Sequence, residues 1–474
     1  MNPTPKENQH TSTSQFDEKA KTEARSLQDI IINSVAIGSI YLIFGYIISL
    51  SLGLGTRVIL SRTLGAETYG YFAIILAIST VTYLFIIFAL DFSLLRYIPS
   101  KIDKPQEVTK TIYSVILVLI IPSLIFTSLI ILLREWLATI FLGNPLLAFS
   151  IGIGAFLAPF FAYYTLVYSI FQGFQDMKSV MIINIIQAVI LVNLTILFLW
   201  LGFGLIGAIF SFLGAGISAV FFGLYRLRRK HLVSIPKWQL HIPKSLLLLG
   251  LLVYVIQFFD VISASSGLLL LGYFGLAASA GIFSICWMFS EVAFNITQQV
   301  VYRAFFPLVS EMKKDRNPNI GEVFNRFIRY TLLGSILLYL PLFLLPELIL
   351  PIFGPEFILG TPAWRILIIG FFFRTLSQPP EAFLIIEERR RFTIGLHSIA
   401  SILSVIFAFL LIPVLDFIGV AIASFIWNFT IFAAVWIYFL RTHKFRLDFF
   451  YPRLDDLDKA VLRRIFRRTR NKME

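Results

Sequence analysis

The sequence predicts an all-α polytopic membrane protein of about twelve transmembrane helices arranged as two six-helix bundles. Three observations carry that expectation: composition, a dozen apolar runs of membrane-crossing length, and an internal repeat. Of 474 residues, 58% are hydrophobic and only 14% are charged, and the mean hydropathy is +0.83. A water-soluble globule would have nowhere to put that much apolar surface, so lipid is the solvent that fits. A helix crossing ~30 Å of hydrocarbon needs roughly 20 apolar residues, because its backbone polar groups must be satisfied within the segment.

Taken in order, residues 1–30 form a polar tail that lacks the charged, apolar, small-residue order of a cleaved signal, so the first apolar run is expected to be retained as a span. The spans expected from hydropathy are 33–56, 69–90, 111–133, 147–171, 180–200 and 204–225 in an N-terminal lobe, 31–225. A basic cytoplasmic linker, 226–244, leads to a C-terminal lobe, 245–441, with spans 245–271, 278–302, 330–351, 365–386, 393–413 and 417–440. Connectors are short and often carry Gly or Pro, and none is long enough to fold as a soluble domain. In the basic tail, 442–474, Leu454, Leu457, Val461 and Ile465 recur at helical spacing among Arg463, Arg464, Arg467 and Arg468. That pattern suits a helix lying on the inner membrane surface, with a solvated tail as the alternative.

Orientation follows from lysine and arginine, which collect in cytoplasmic loops. With the N-terminus inside, all 40 basic residues fall on the cytoplasmic side except Arg57, Arg62, Arg134 and Arg365, on the other side, and Arg374, within a span. Both termini are therefore expected in the cytoplasm, with the chain passing many times through the plasma membrane. The net charge of +13 is explained by loops facing anionic lipid, without nucleic acid as a partner.

The repeat joins Gly70, Phe72, Ile74, Ser79 and Val81 to Gly281, Phe283, Ile285, Ser290 and Val292 at an offset of 211. Ala208, Ile209, Ser211 and Phe212 recur as Ala421, Ile422, Ser424 and Phe425 at an offset of 213. Two nearly equal offsets over separated segments indicate duplication. An even number of spans per half gives a parallel repeat about an axis along the membrane normal, with a central cavity expected between the halves.

A charged side chain in hydrocarbon costs on the order of 3 kcal/mol by insertion scales, so ionisable residues within spans are the candidates for function. In span eight, Ser284, Glu291, Asn295, Gln298 and Tyr302 keep to one narrow helical stripe. They either line a polar path or hydrogen-bond to neighbouring helices. In span seven, Tyr254, Gln257 and Asp260 share a face, and Asp260 either binds a coupling cation or joins an ion pair. Span ten carries Arg374, Gln378 and Glu381 on one face, with Pro379 and Pro380 interrupting the hydrogen-bond ladder. Arg374 is the leading candidate, because its planar fork of donors suits phosphate or diphosphate; a structural pair with Glu381 or Asp260 is the alternative. Arg57, Arg62, Asp91, Arg96 and Arg303 sit at or near span ends, where most are expected to be interface anchors. Arg57 shares a face with Ser39, Tyr46 and Gly53, so lining the outward mouth of the cavity is its alternative role.

Other signals limit the function. No Gly-rich phosphate loop is present, which argues against ATP-driven transport by this chain alone. His10, His231, His241, His397 and His443 are scattered, so no metal site is expected. The single cysteine, Cys286, precludes an intrachain disulfide. Asn193, Asn295 and Asn428 begin glycosylation-like triplets within apolar spans and are discounted as acceptors.

Several motifs carry a family likeness. They are the run Leu-Ser-Arg-Thr-Leu-Gly-Ala-Glu-Thr-Tyr-Gly-Tyr-Phe from Leu60 to Phe72, Leu94-Leu95-Arg96-Tyr97, Leu270-Leu271-Gly272-Tyr273-Phe274 and Ala280-Gly281-Ile282-Phe283. Further on come Phe306-Pro307-Leu308-Val309-Ser310-Glu311, Phe353-Gly354-Pro355-Glu356-Phe357 and Ile412-Pro413. Over about residues 31–441 the chain resembles prokaryotic polysaccharide-biosynthesis flippases of the multidrug/oligosaccharidyl-lipid/polysaccharide transporter superfamily. It departs from them at Ala89-Leu90-Asp91, where the family usually has a glycine. The resemblance implies a two-lobed, V-shaped, MATE-like transporter, not an enzyme, that carries a prenyl-linked oligosaccharide from the inner to the outer leaflet by alternating access. It also implies cationic side chains facing the anionic substrate, Na+ or H+ coupling, a monomer as sufficient unit, and polysaccharide-assembly membrane proteins as partners. Two other functions remain open: an ion-coupled multidrug exporter of the same fold, and a membrane glycan polymerase or ligase, which the short external loops disfavour.

Overall fold

The computed structural model describes residues 7–230, 243–301, 320–387 and 389–442, together with 305, 309–310 and 312–313; the side chains of 7–43, 244–245, 247–249, 252, 300 and 390 lie outside that description. So do Tyr302, Arg303, the 306–308 motif, most of the linker and the basic tail from residue 443.

Among the described residues, eleven helical stretches are long and apolar enough to cross a membrane. The first, Phe44–Ile87, is 44 residues, about twice the length that hydrocarbon requires at ~1.5 Å per residue. It belongs to α1 (Glu7–Ile87), which breaks at Gly65, where φ is 72° and ψ is 169°. Only glycine takes that conformation without a Cβ clash, so α1 supplies two passes and the expected total of twelve is recovered.

The chain divides into two compact units, Met1–Gln257 and Phe258–Glu474, the division falling within helix α10 (Lys244–Tyr273). Between α1 and α10, unit 1 contains α2 (Leu90–Ser100), α3 (Pro105–Val118), α4 (Ile120–Leu132), α5 (Arg134–Leu142), α6 (Ala148–Gly154), α7 (Leu157–Gly173), α8 (Met177–Trp200) and α9 (Gly204–Arg229). Its core joins Ile86, Leu94, Ile112, Leu166, Phe171 and Ile183. The corner from α1 to α2 is made by two residues with left-handed φ, Phe88 (46°) and Ala89 (52°), at about 1–2 kcal/mol per non-glycine residue. Gly250 of α10 packs against this corner; a Cβ there would lie 2.5 Å from Ser93 Oγ and 3.5 Å from the Ala89 carbonyl oxygen.

Where α7 meets α8, Asp176 caps α8 by accepting from the Ser179 N–H at 3.2 Å. The same carboxylate accepts from Ser179 Oγ at 2.5 Å and pairs with Lys230, while Arg226 Nε donates to Ser179 Oγ at 2.6 Å. Burial alone would raise the Asp176 pKa, but the bonds from Lys230 and Ser179 outweigh it and hold the carboxyl below its usual range.

Unit 2 contains α11 (Ala277–Val300), α12 (Ile320–Leu344), the single turn α13 (Pro346–Ile349), α14 (Thr361–Ile386), α15 (Arg390–Leu415) and α16 (Phe417–Thr442). Span nine differs from expectation: α12 begins at Ile320 and stops at Leu344, not 330–351. Pro346 has no N–H to give the Leu342 carbonyl, so the helix ends and Trp364 Nε1 donates to that carbonyl at 2.6 Å instead. The membrane helix therefore draws its first turns from Gly321, Glu322 and Asn325, which hydropathy alone excludes.

The repeat has matching environments in the two units. Phe72 and Phe283, Ile74 and Ile285, and Ser79 and Ser290 are all buried, and each serine donates to the carbonyl four residues earlier. Ser211 and Ser424 do the same in α9 and α16. Each half also turns on a left-handed glycine just before its second helix, Gly65 (φ 72°) and Gly275 (φ 75°).

Candidate functional site

Among the described residues, the strongest concentration of charge inside a span lies in unit 2 and begins with α14. This helix runs through Pro379 and Pro380 without ending. Pro380 cannot donate to the Leu376 carbonyl, and Trp436 Nε1 of α16 takes that acceptor at 3.2 Å. The same turn carries Arg374, Ser377, Gln378 and Glu381, all buried.

Arg374 Nη1 donates to Glu381 Oε2 at 2.5 Å and to Ser377 Oγ at 2.9 Å. Its guanidinium lies over the Phe294 ring of α11, 5.4 Å from the centroid, a placement that favours a cation through the ring quadrupole. The other Glu381 oxygen, Oε1, is 3.0 Å from His397 Nε2, and His397 Nδ1 is 2.6 Å from Asp260 Oδ1. Four groups from α10, α14 and α15 thus form one chain, Arg374–Glu381–His397–Asp260. The side chains of Glu381 and His397 are 8% and 1% exposed, and Asp260 at the end is 35% exposed.

Each His397 nitrogen faces a carboxylate oxygen, so both nitrogens donate when both carboxylates are ionised. Arg374 and imidazolium then balance Glu381 and Asp260, which suits charge held away from water.

Sequence reasoning set His397 aside as one of five scattered histidines. The signal that finds it is the spacing Thr393, His397, Ser401, Ser404, a polar face on α15 that is buried throughout. Ser401 on that face donates to the Phe259 carbonyl at 2.9 Å, beside Asp260. A second polar group, also absent from the sequence reading, joins Tyr339 Oη to Thr375 Oγ1 at 2.8 Å and Thr297 Oγ1 to Thr375 Oγ1 at 3.4 Å.

The remaining candidates are distributed as follows. Gln378 is 2% exposed, and both polar atoms of its amide lack a hydrogen-bond partner among the described residues. Glu291 is exposed on α11, with Asn295 and Gln298 partly exposed on the same stripe, whereas Ser284 is buried and donates to the Gly281 carbonyl. Gln257 is partly buried at the end of unit 1. Arg57, also in unit 1, is partly buried. Among the described residues no group of three or more His, Cys, Asp and Glu side chains is arranged to hold a metal ion.

Such an arrangement can exchange partners: an anion with carboxylate-like geometry can replace Glu381 on Arg374, and His397 can compensate the carboxylate so released. The sequence profile described as polysaccharide biosynthesis protein matches residues 35–313. No curated protein matches the chain in sequence. The fold is similar to that of a multidrug resistance MATE family transporter of the MOP superfamily in its inward-facing conformation, with TM-score 0.70, 16% identity, and 83% of this chain and 96% of that one covered. It is also similar to the lipid II flippase MurJ in an inward closed conformation, with TM-score 0.68, 17% identity and coverage of 84% and 87%. A MOP superfamily transporter from Pyrococcus furiosus aligns with TM-score 0.58, 15% identity and coverage of 86% and 95%.

Proposed function

The chain belongs to the polysaccharide biosynthesis protein family, and we propose that it moves a lipid-linked oligosaccharide or polysaccharide precursor from the inner to the outer leaflet of the plasma membrane by alternating access. The observation that carries this reading is Arg374, a permanent cation held inside a span of unit 2. Sugar and phosphate cannot cross hydrocarbon unaided, so a carrier must replace their hydration with hydrogen bonds and positive charge while the prenyl tail stays in lipid. No covalent bond changes in that process.

In this scheme the substrate phosphate competes with Glu381 for the Arg374 fork. His397 and Asp260 keep the charge balanced while Glu381 is displaced, and protons or Na+ arriving at the partly exposed Asp260 couple the exchange to an ion gradient. Substrate shifts the conformational equilibrium only through its different affinity for the two states. Gln378, Glu291, Asn295 and Gln298 belong to the proposed polar path within unit 2, and Gln257 and Arg57 are proposed as substrate-facing groups of unit 1, with both termini in the cytoplasm, the monomer as the working unit and polysaccharide-assembly proteins of the membrane as partners.

A second reading, ion-coupled export of organic cations, is favoured by the exposed Glu291 and partly exposed Asp260 carboxylates. Arg374→Gln separates the two. The flippase reading expects loss of lipid-linked glycan transport in liposomes with organic-cation efflux unaffected; glycan transport that tolerates the change removes Arg374 from the substrate path.

A further inference from the structure

The stripe on α11 has a chemical character that charge alone does not explain. Trp287 lies between Ser284 and Glu291 on the same side of the helix, and Phe294 follows two turns later. The stripe thus has an aromatic edge, Trp287 and Phe294, and a polar centre, Glu291, Asn295 and Gln298.

Trp287 is held from behind. Its ring is edge-on to Phe371 at 5.1 Å and lies in an offset stack with Trp427 at 6.4 Å and 16°. Phe371 in turn packs edge-on to Phe294 at 5.9 Å, the ring beneath Arg374. Trp287 nevertheless remains only partly buried. Further along the same stripe, the amides of Asn295 and Gln298 are partly exposed and make no side-chain hydrogen bond among the described residues. An amide in a membrane span costs free energy without a partner. A braced indole followed along one helical stripe by a carboxylate and two uncommitted amides suits an extended occupant with apolar faces and a polar rim.

A pyranose ring has that build: axial C–H groups on one face, which are drawn to the negative face of an aromatic ring, and hydroxyls around its edge that both donate and accept. We propose that Trp287 is the stacking platform of a saccharide subsite on α11, with Glu291, one turn away, receiving the hydroxyls of the stacked sugar and Asn295 and Gln298, about two and three turns along the same helix, those of the sugars that follow it in the lipid-linked glycan. The Glu291 carboxylate repels a uronic acid placed there, so the subsite selects a neutral or amino sugar. This inference rests on the flippase reading and adds to it that the carrier reads the glycan as well as the phosphate.

The test measures binding of two probes to the purified full-length protein in detergent: a prenyl diphosphate carrying a linear neutral trisaccharide, and the same prenyl diphosphate without sugar. Wild type, Trp287→Phe and Trp287→Ala are compared, with thermal unfolding recorded for each. The subsite predicts that Trp287→Ala weakens the glycosylated probe by about tenfold and leaves the bare diphosphate within about twofold, while Trp287→Phe keeps most of the affinity. Equal weakening of both probes makes Trp287 a packing residue and overturns the proposal, as does wild-type protein that binds the two probes alike. Wild type that binds neither probe rejects the flippase reading itself. Where Trp287→Ala does not fold, Asn295→Leu/Gln298→Leu decides on the same ratio of the two affinities, and a ratio unchanged from wild type refutes the subsite.

Discussion

Replacing Glu381 by Gln removes one charge from the Arg374–Glu381–His397–Asp260 chain while keeping its shape. The wild-type carboxylate takes Arg374 Nη1 at 2.5 Å and faces His397 Nε2 at 3.0 Å, with little solvent near either. Breaking a buried pair by removing one partner costs about 3–5 kcal/mol in water-soluble proteins. Hydrogen bonds between neutral groups in membrane proteins average about 0.6 kcal/mol. Gln keeps one oxygen for Arg374, so about 2–3 kcal/mol is expected, roughly 5–10 °C of unfolding temperature for a unit of this size. Cys286 supplies the assay: it is the chain's one cysteine and is fully buried in unit 2, against the Gly360 carbonyl. A thiol-reactive fluorophore therefore reports unfolding of that unit on heating. Arg374→Gln should cost a similar amount, and the double variant less than the two together, with a coupling energy of about 1–2 kcal/mol. Strictly additive losses would refute the reasoning, because they mean that the two side chains do not share an interaction.

Three further outcomes follow from the packing. Gly419→Ala would place a Cβ 2.7 Å from the Leu411 carbonyl carbon and oxygen; backbone cannot rotate aside, so a loss of about 1–3 kcal/mol is expected in the same thiol assay. Trp436→Phe removes the donor that satisfies the Leu376 carbonyl and should cost about 1–3 kcal/mol, whereas Trp436→Phe that melts like wild type means the carbonyl finds water. For Asp176, whose pKa is lowered in the folded protein, the stabilisation is present above the unfolded carboxyl pKa and is lost as pH falls through the folded value. Asp176→Asn should therefore lower the unfolding temperature at neutral pH, within the roughly 1 kcal/mol of a partly exposed pair, and match wild type in strong acid; a gap that persists in acid contradicts the assigned role of Lys230.

The sequence makes the membrane class, the number of passes and the repeat legible, because lipid demands long apolar helices whatever the tertiary structure. It is weaker where chain geometry and hydropathy diverge. The end of α12 is set by Pro346 and by Trp364, which supplies the missing donor, and neither enters an apolar average. At the candidate site, Arg374 and Glu381 are recognisable together because they lie two turns apart on one helix. His397 is not, because its partners Asp260 and Glu381 come from two other helices, 137 and 16 residues away. Its signal in the sequence is the polar helical face Thr393, His397, Ser401 and Ser404, not any clustering of histidines.

The central claim is that this protein carries a lipid-linked saccharide across a bilayer. It is tested most directly by reconstituting the purified protein in liposomes with a fluorescent prenyl-linked oligosaccharide and following the label's exposure to an external quencher, with and without H+ or Na+ gradients. Faster transbilayer movement than in protein-free vesicles, dependent on a gradient and abolished by Arg374→Gln, is the predicted result. Movement no faster than in empty vesicles, in a preparation that still expels organic cations, would contradict it.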